Sequence, residues 1–120
     1  MKFNRIKFSK EASEALNKMK GRVGLNWNLM CRIGFCLSLN DQSVINPNEF
    51  KSDGSIEIER KILIGGEDEL YIALLKQRCL NEGISEDKHL DHFKAHMNRG
   101  VLLLSKRINN VKDLVQLIPS

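Results

Sequence analysis

Along the chain, short segments with apolar periodicity alternate with clusters of turn-forming residues. Phe3 to Phe8 alternates, with Phe3, Arg5 and Lys7 on one side and Asn4, Ile6 and Phe8 on the other, which predicts a short strand. Ser9 stands where an N-cap is needed and Glu11 falls in the following first turn. Ala12, Ala15, Leu16 and Met19 then repeat at the spacing of one helical face. Gly21 suits a left-handed helix cap, and Gly24 permits a sharp turn. Asn26 is placed to cap a second helix reaching about Leu39. Leu29, Ile33, Cys36 and Leu37 make one face of it; Met30, Gly34 and Phe35 extend that face, and Arg32 is the lone charge. A helix apolar on more than one side needs more than one neighbour. Gly34 implies close backbone approach at a packing interface, and another subunit is a candidate for the second neighbour.

From Asn40 to Gly54 the residues are turn-like. Ser55 to Ile64 alternates, with Ile56, Ile58, Ile62 and Ile64 on one side and Arg60 interrupting, and reads as a strand or extended arm that needs a partner. Glu67 to Asn81 predicts a helix apolar on two sides, acidic at its start and closed by Gly83. Ser85 opens another, with Leu90, Phe93 and Met97 inward and Gly100 at or near its end. Val101 to Ile108 returns to helix after a break, or forms a strand, and Val111 to Ile118 forms a last short helix. The expected fold is mainly α: one compact domain over residues 1–120, opening with strand–helix–turn–helix.

Charge changes this picture because it is uneven. Residues 1–22 hold seven basic and two acidic side chains, a net +5, whereas the whole 120-residue chain carries +4. A charge run is most often a solvated face. Here Lys18, Lys20 and Arg22 crowd a helix end, and the next helix offers free N–H groups close by, an arrangement that suits phosphate. Aromatic residues are too few among these cations for single-strand stacking, so the backbone of a DNA duplex is the expected ligand. The candidate DNA contacts are Arg5, Lys7, Lys10, Lys18, Lys20 and Arg22. The element order also resembles that of a ribbon–helix–helix DNA reader.

Other chemistry finds little support. Cys31, Cys36 and Cys79 lie in apolar helical patterns whose spacing matches no zinc module or disulfide framework, and they read as free buried thiols. His89, His92 and His96 could share a helical side with Asp91 nearby. Their HxxHxxxH spacing lacks the glutamate of HExxH and a second ligand cluster, so a mixed-polarity surface helix without metal is the default. No phosphate loop, dinucleotide fingerprint or nucleophile elbow occurs. Neither catalysis nor a cofactor is therefore expected. The N-terminus lacks the apolar run of a signal peptide and no segment is long enough to span a bilayer, so a cytoplasmic protein is expected.

The run FSKEASEALNKMKGRVGLNWNLMCRIGFCLSLND, with ALLKQRC downstream and HMNRGVLLLSKRI near the end, closely resembles the DndE family, the small E subunit of the bacterial DNA phosphorothioation system. In that system sulfur replaces a non-bridging phosphate oxygen, and a cysteine desulfurase, an iron–sulfur protein and ATP-using partners supply the chemistry. The resemblance implies a mainly helical, non-enzymatic DNA binder that forms a homotetramer, prefers nicked duplex and works with the other modification proteins. The family's Gly-Arg-x-Gly turn falls on Gly21 to Gly24, and its Asn-x-Leu-Cys-Arg-Ile-Gly-Phe helix on Asn28 to Phe35, with Met30 where Leu is common. Where the family usually has Thr-Pro, this chain has Asn26 and Trp27, which loses the pre-set φ of a first-turn proline and places a large aromatic at the turn or at an interface. Gly21, Gly24, Trp27 and Gly34 are thus candidates for shaping turn and assembly. Three rivals remain: a scaffold bridging the sulfur-modification enzymes, a ribbon–helix–helix regulator, and a nickase using the three histidines.

Overall fold

The computed structural model describes residues 1–108. Its elements are β1 (Arg5–Lys7), α1 (Lys10–Val23), α2 (Trp27–Asn40), β2 (Glu57–Glu59), α3 (Arg60–Leu63), α4 (Asp68–Asn81) and α5 (His89–Arg107). The architecture is mainly α. Ile6 and Phe8 are fully buried while Arg5 and Lys7 point outward, so the N-terminal alternation becomes a strand with one face on the core. Its partner is β2 of the same chain, antiparallel, with Ile6 opposite Ile58. A ribbon–helix–helix reader needs that strand for a second subunit; here its pairing is satisfied within the chain.

Ser9 caps α1 as its position requires, its Oγ accepting from the Ala12 N–H at 3.1 Å, and its own N–H donates to Asn98 Oδ1 of α5 at 2.8 Å. The helix does not stop at Gly21. It continues to Val23, and Gly24, at φ 75°, is the left-handed cap whose N–H donates to Lys20 O. Only the second glycine must adopt a conformation costly for other residues.

At the centre, α2 crosses α5 with the two backbones in contact. A Cβ built on Gly34 would sit 2.6 Å from the carbonyl carbon of Gly100, and one built on Gly100 would strike the Gly34 backbone in turn. Around this crossing Phe35 and Phe93 pack with ring centroids 5.0 Å apart, and Phe3 lies 5.2 Å from Phe93. The close approach inferred from Gly34 is therefore within the chain, and it explains Gly100 too. Gly100 is neither a helix end nor a break: α5 runs unbroken to Arg107, so Val101 to Arg107 is helix and not strand.

Two other expectations change. Of the apolar residues of α2, Met30, Gly34 and Phe35 are buried, with Cys31 and Ser38 beside them, whereas Leu29 and Cys36 of the first face are exposed and Ile33 and Leu37 half-buried. The arm at 55–64 is a strand only over Glu57–Glu59. From Arg60 it turns into α3, which leaves Ile62 exposed although Ile56, Ile58 and Ile64 are buried. Arg60 stands at that change of direction, its guanidinium binding both carboxylate oxygens of Asp68 at 2.7 and 2.8 Å and also the carbonyl of Met1. The helix expected over Val111 to Ile118 lies outside the described residues.

Gly34→Ala and Gly100→Ala should each destabilise the fold by at least the 1–3 kcal/mol typical of overpacking, because backbone rather than a flexible side chain must move. Gly66→Ala, where a Cβ meets nothing within 4 Å, is the control. Denaturant unfolding of the three variants measures this.

Candidate nucleic-acid interface

The cations of the first 22 residues do not form one patch. On the outward face of the two-stranded sheet, Arg5 lies opposite Glu59 and Lys7 opposite Glu57, with Arg5 Nε 3.8 Å from Glu57 Oε1. Folding thus sets two carboxylates against two of the candidate cations. Lys10 is exposed at the start of α1, where Asp53 Oδ1 accepts its backbone N–H at 2.9 Å. Lys18, Lys20 and Arg22 occupy the other end of that helix and are exposed. Lys18 and Arg22 share one flank with Glu11, Glu14 and Ser105 of α5. Lys20 lies on another flank, its Nζ 4.9 Å from the Trp27 ring, at the edge of a groove of about 550 Å³ formed with Asn26, Asn28 and β2.

α1 packs along the second half of α5. Ser9 meets Asn98, and Lys18 and Arg22 reach the level of Ser105, so the two helices run in the same sense. Lys106 and Arg107, exposed in the last turn of α5, therefore join the same end of the molecule. Cations there also complement the negative ends of both helix dipoles. At the adjoining start of α2, Asn26 occupies the N-cap position but its side chain makes no capping bond. Gly21 sits exposed in the last turn of α1, where an added Cβ meets nothing within 4 Å.

The histidines are not a surface feature. His92 is 5 % exposed and His96 fully buried. Ser38 Oγ lies 2.8 Å from His96 Nδ1 and accepts from Arg99 Nε at 2.8 Å. Burial, reinforced by the nearby Arg99 and Arg78 guanidiniums, pushes the His96 pKa down from 6.5 to about 3, and burial also lowers that of His92. The partner brought to them is Glu82, at the C-cap of α4, rather than His89 or Asp91. No local pattern marks that carboxylate, because the turn at Gly83 (φ 70°) folds it back onto α5. The cysteines divide: Cys31 and Cys79 are buried as expected, whereas Cys36 is exposed on α2. Burial raises the pKa of all three thiols, so none is set up as a thiolate nucleophile.

The family model described as DNA sulphur modification protein DndE matches residues 5–112. The chain belongs to the DndE family. Among solved structures it is similar to DndE from Escherichia coli B7A, involved in DNA phosphorothioation modification, at 23% identity and TM-score 0.70, covering 87% of this chain and 98% of that one. It is also similar to a double glycine-to-lysine DndE mutant involved in DNA phosphorothioation, at 21% identity and TM-score 0.68, covering 87% of this chain and 99% of that one. At these identities the likeness speaks for the fold. No curated protein matches in sequence. The DndE residues Gly21 to Gly24 form the end of α1 and its cap, and Asn28 to Phe35 form the first half of α2. Among the described residues no helix is long and apolar enough to cross a membrane.

Acid should weaken this fold from near pH 6.5 downward. The unfolded chain protonates its histidines there, while His96 resists until about pH 3, so the unfolded state binds more protons across that window and stability declines as the pH is lowered. Glu82 and Asp91 oppose the shift at His92, and Arg78 and Arg99 reinforce it at His96. The carboxylates whose pKa is lowered, Asp41, Asp68 and Asp87, act below their usual 3.8. Thermal midpoints between pH 6.5 and 4.5 should therefore slope less in His96→Gln than in the unaltered protein.

Proposed function

We propose that this chain is a non-enzymatic DNA-binding subunit of the phosphorothioation machinery. It engages duplex DNA, nicked in preference to intact, through the shared basic end of α1 and α5, and acts in the cytoplasm as a homotetramer beside the other sulfur-modification proteins. The observation that carries this reading is the set of exposed cations toward the ends of two packed helices, Lys18, Lys20 and Arg22 of α1 and Lys106 and Arg107 of α5, next to the glycine cap of α1. Cations so placed neutralise phosphates without reading bases, which suits a protein acting on the DNA backbone. Arg5, Lys7 and Lys10 contribute less, because Glu57, Glu59 and Asp53 stand beside them. The raised thiol pKa values argue against covalent catalysis by the cysteines.

The open face of α2 supports the oligomer. Leu29, Ile33, Cys36 and Leu37 line a groove of about 510 Å³ with Tyr71, and Leu70 and Leu74 of α4 are 51 % and 40 % exposed. Repeating a small patch in one assembly raises avidity without any new contact. The same apolar surface suits a second reading, a scaffold bridging the sulfur-modification enzymes. Under it, partner capture survives neutralisation of the lysines and DNA affinity at physiological salt is negligible.

A salt titration of binding to intact and singly nicked duplexes of one sequence tests the proposal. Steep salt dependence with tighter binding to the nick is expected. Lys18→Ala and Lys20→Ala should each weaken binding on all sequences alike and reduce the salt slope by about one unit. A folded oligomer that binds neither duplex rejects the reading.

Gly21 separates local from intersubunit effects. An exposed helical glycine replaced by alanine should gain about 0.5–1 kcal/mol of chain stability. If another subunit or DNA lies close to this turn, Gly21→Ala should nevertheless weaken assembly or nick binding. Sedimentation and unfolding of the same variant measure the two signs separately.

A further inference from the structure

We propose that Glu82, His92 and His96 form a binding site for one divalent transition-metal ion of the zinc class, pinning the end of α4 to the middle of α5. Their ligand atoms all lie within 4.8 Å of one another. The buried Glu82 Oε1, His92 Nδ1 and His96 Nε2 are each without a hydrogen-bond partner. Two histidines at i, i+4 share one face of a helix, and a carboxylate arriving from a second element completes a set that zinc binds with a fourth position left for water.

The surroundings orient this set. In the tautomer that donates Nδ1–H to Ser38 Oγ, His96 turns the Nε2 lone pair toward Glu82 and His92, and Arg99 holds Ser38 in place through the 2.8 Å bond from Nε. Such an outer hydrogen bond is what commonly fixes a metal-bound imidazole. Two guanidiniums lie close, and each is already engaged. Arg78 donates to Leu39 O and Asp41 O, both at 2.7 Å, and Arg99 to Ser38 O and Ser43 O, both at 2.8 Å. Arg78 Nε lies 3.3 Å from the same Glu82 Oε1, an ion pair without hydrogen-bond geometry, so the guanidinium is the charge that a bound cation would have to displace or share. His89 is turned away, its Nε2 3.2 Å from Ile84 O. Tetrahedral ligands at zinc lie about 3.4 Å apart, given bonds of about 2.05 Å. Side-chain rotation at His92 and Glu82 therefore has to draw the triad inward.

The rival occupant is a water molecule, which would satisfy the same three atoms without contraction. Full-length protein stripped of metal by a chelator is titrated with Zn²⁺ alone, by calorimetry and by thermal unfolding, and with Co²⁺ by visible absorption. The expected result is one ion per chain, a raised unfolding temperature, and a four-coordinate Co²⁺ spectrum without thiolate charge transfer. Glu82→Gln and His92→Asn should each weaken Zn²⁺ binding at least tenfold while leaving the circular dichroism spectrum unchanged. Absence of saturable binding and of stabilisation overturns the proposal in favour of water. So does equal Zn²⁺ affinity in both variants, or a thiolate signature in the Co²⁺ spectrum of the unaltered protein, which places the ion at a cysteine. The Co²⁺ spectrum needs no variant to fold.

Discussion

The backbone contact between Gly34 and Gly100 sets the rest of the structure. Once α2 and α5 touch without intervening side chains, the residues around the crossing must interlock, and Phe35 and Phe93 do so in one core with Ile6 and Phe8 of the N-terminal segment. The rotation of α2 about its axis follows. The side bearing Gly34 is committed to α5, so Leu29 and Cys36 are left exposed, with Ile33 and Leu37 half-buried beside them. An apolar face left open beside exposed leucines of α4 is the kind of surface that association covers. The same glycine pair thus sets both the internal packing and the face left for a partner.

The end of α2 is the second consequence. Its final carbonyls need donors, and Arg78 from α4 and Arg99 from α5 reach in to supply them. Arg32 does the same for α3, donating to Leu63 O at 2.7 Å and Ile62 O at 3.0 Å. Arg60 is held by Asp68. Four of the chain's arginines therefore fasten helices instead of presenting charge to a ligand. This bonding also draws Ser38, His96 and Glu82 into one polar cluster, so a buried network grows out of a helix-capping requirement.

Elements with strong local signals were legible from the sequence: the Ser9 cap, the α1 stripe, the span of α2, the start of α4 and the mainly α class. What failed was decided by tertiary contact. Gly21 and Gly100 looked like helix ends because glycine disfavours helix by about 1 kcal/mol, a cost that packing outweighs at Gly100. Which side of α2 is buried depended on a partner 66 residues away, which periodicity on a helix apolar all round cannot identify. Both extended segments were read, Phe3 to Phe8 and Ser55 to Ile64, but not their pairing with each other, because β1 and β2 are only three residues each and are paired across half the chain. Among the candidate DNA contacts, residue type and segment charge were readable. The pairing of Arg5 and Lys7 with Glu59 and Glu57, and the arrival of Lys106 and Arg107 beside α1, required the fold.

A net charge of +5 over 22 residues is thus a poor measure of what DNA would meet. Folding sets Glu57 and Glu59 against the strand cations, yet adds Lys106 and Arg107, exposed in the last turn of the helix that packs along α1. The resulting surface is small, and a handful of phosphate contacts made by one chain gives weak, strongly salt-dependent binding. It is also rigid. α1 is fixed at its start by Ser9 bonding Asn98, and along its length by Ser13 Oγ accepting the Ile56 N–H at 3.2 Å. Cations held on a fixed helix lose less freedom on binding than cations on a loop. Rigid presentation and repetition across subunits are therefore complementary: the first makes each contact geometrically definite, and the second makes the sum of such contacts strong enough to hold a DNA backbone.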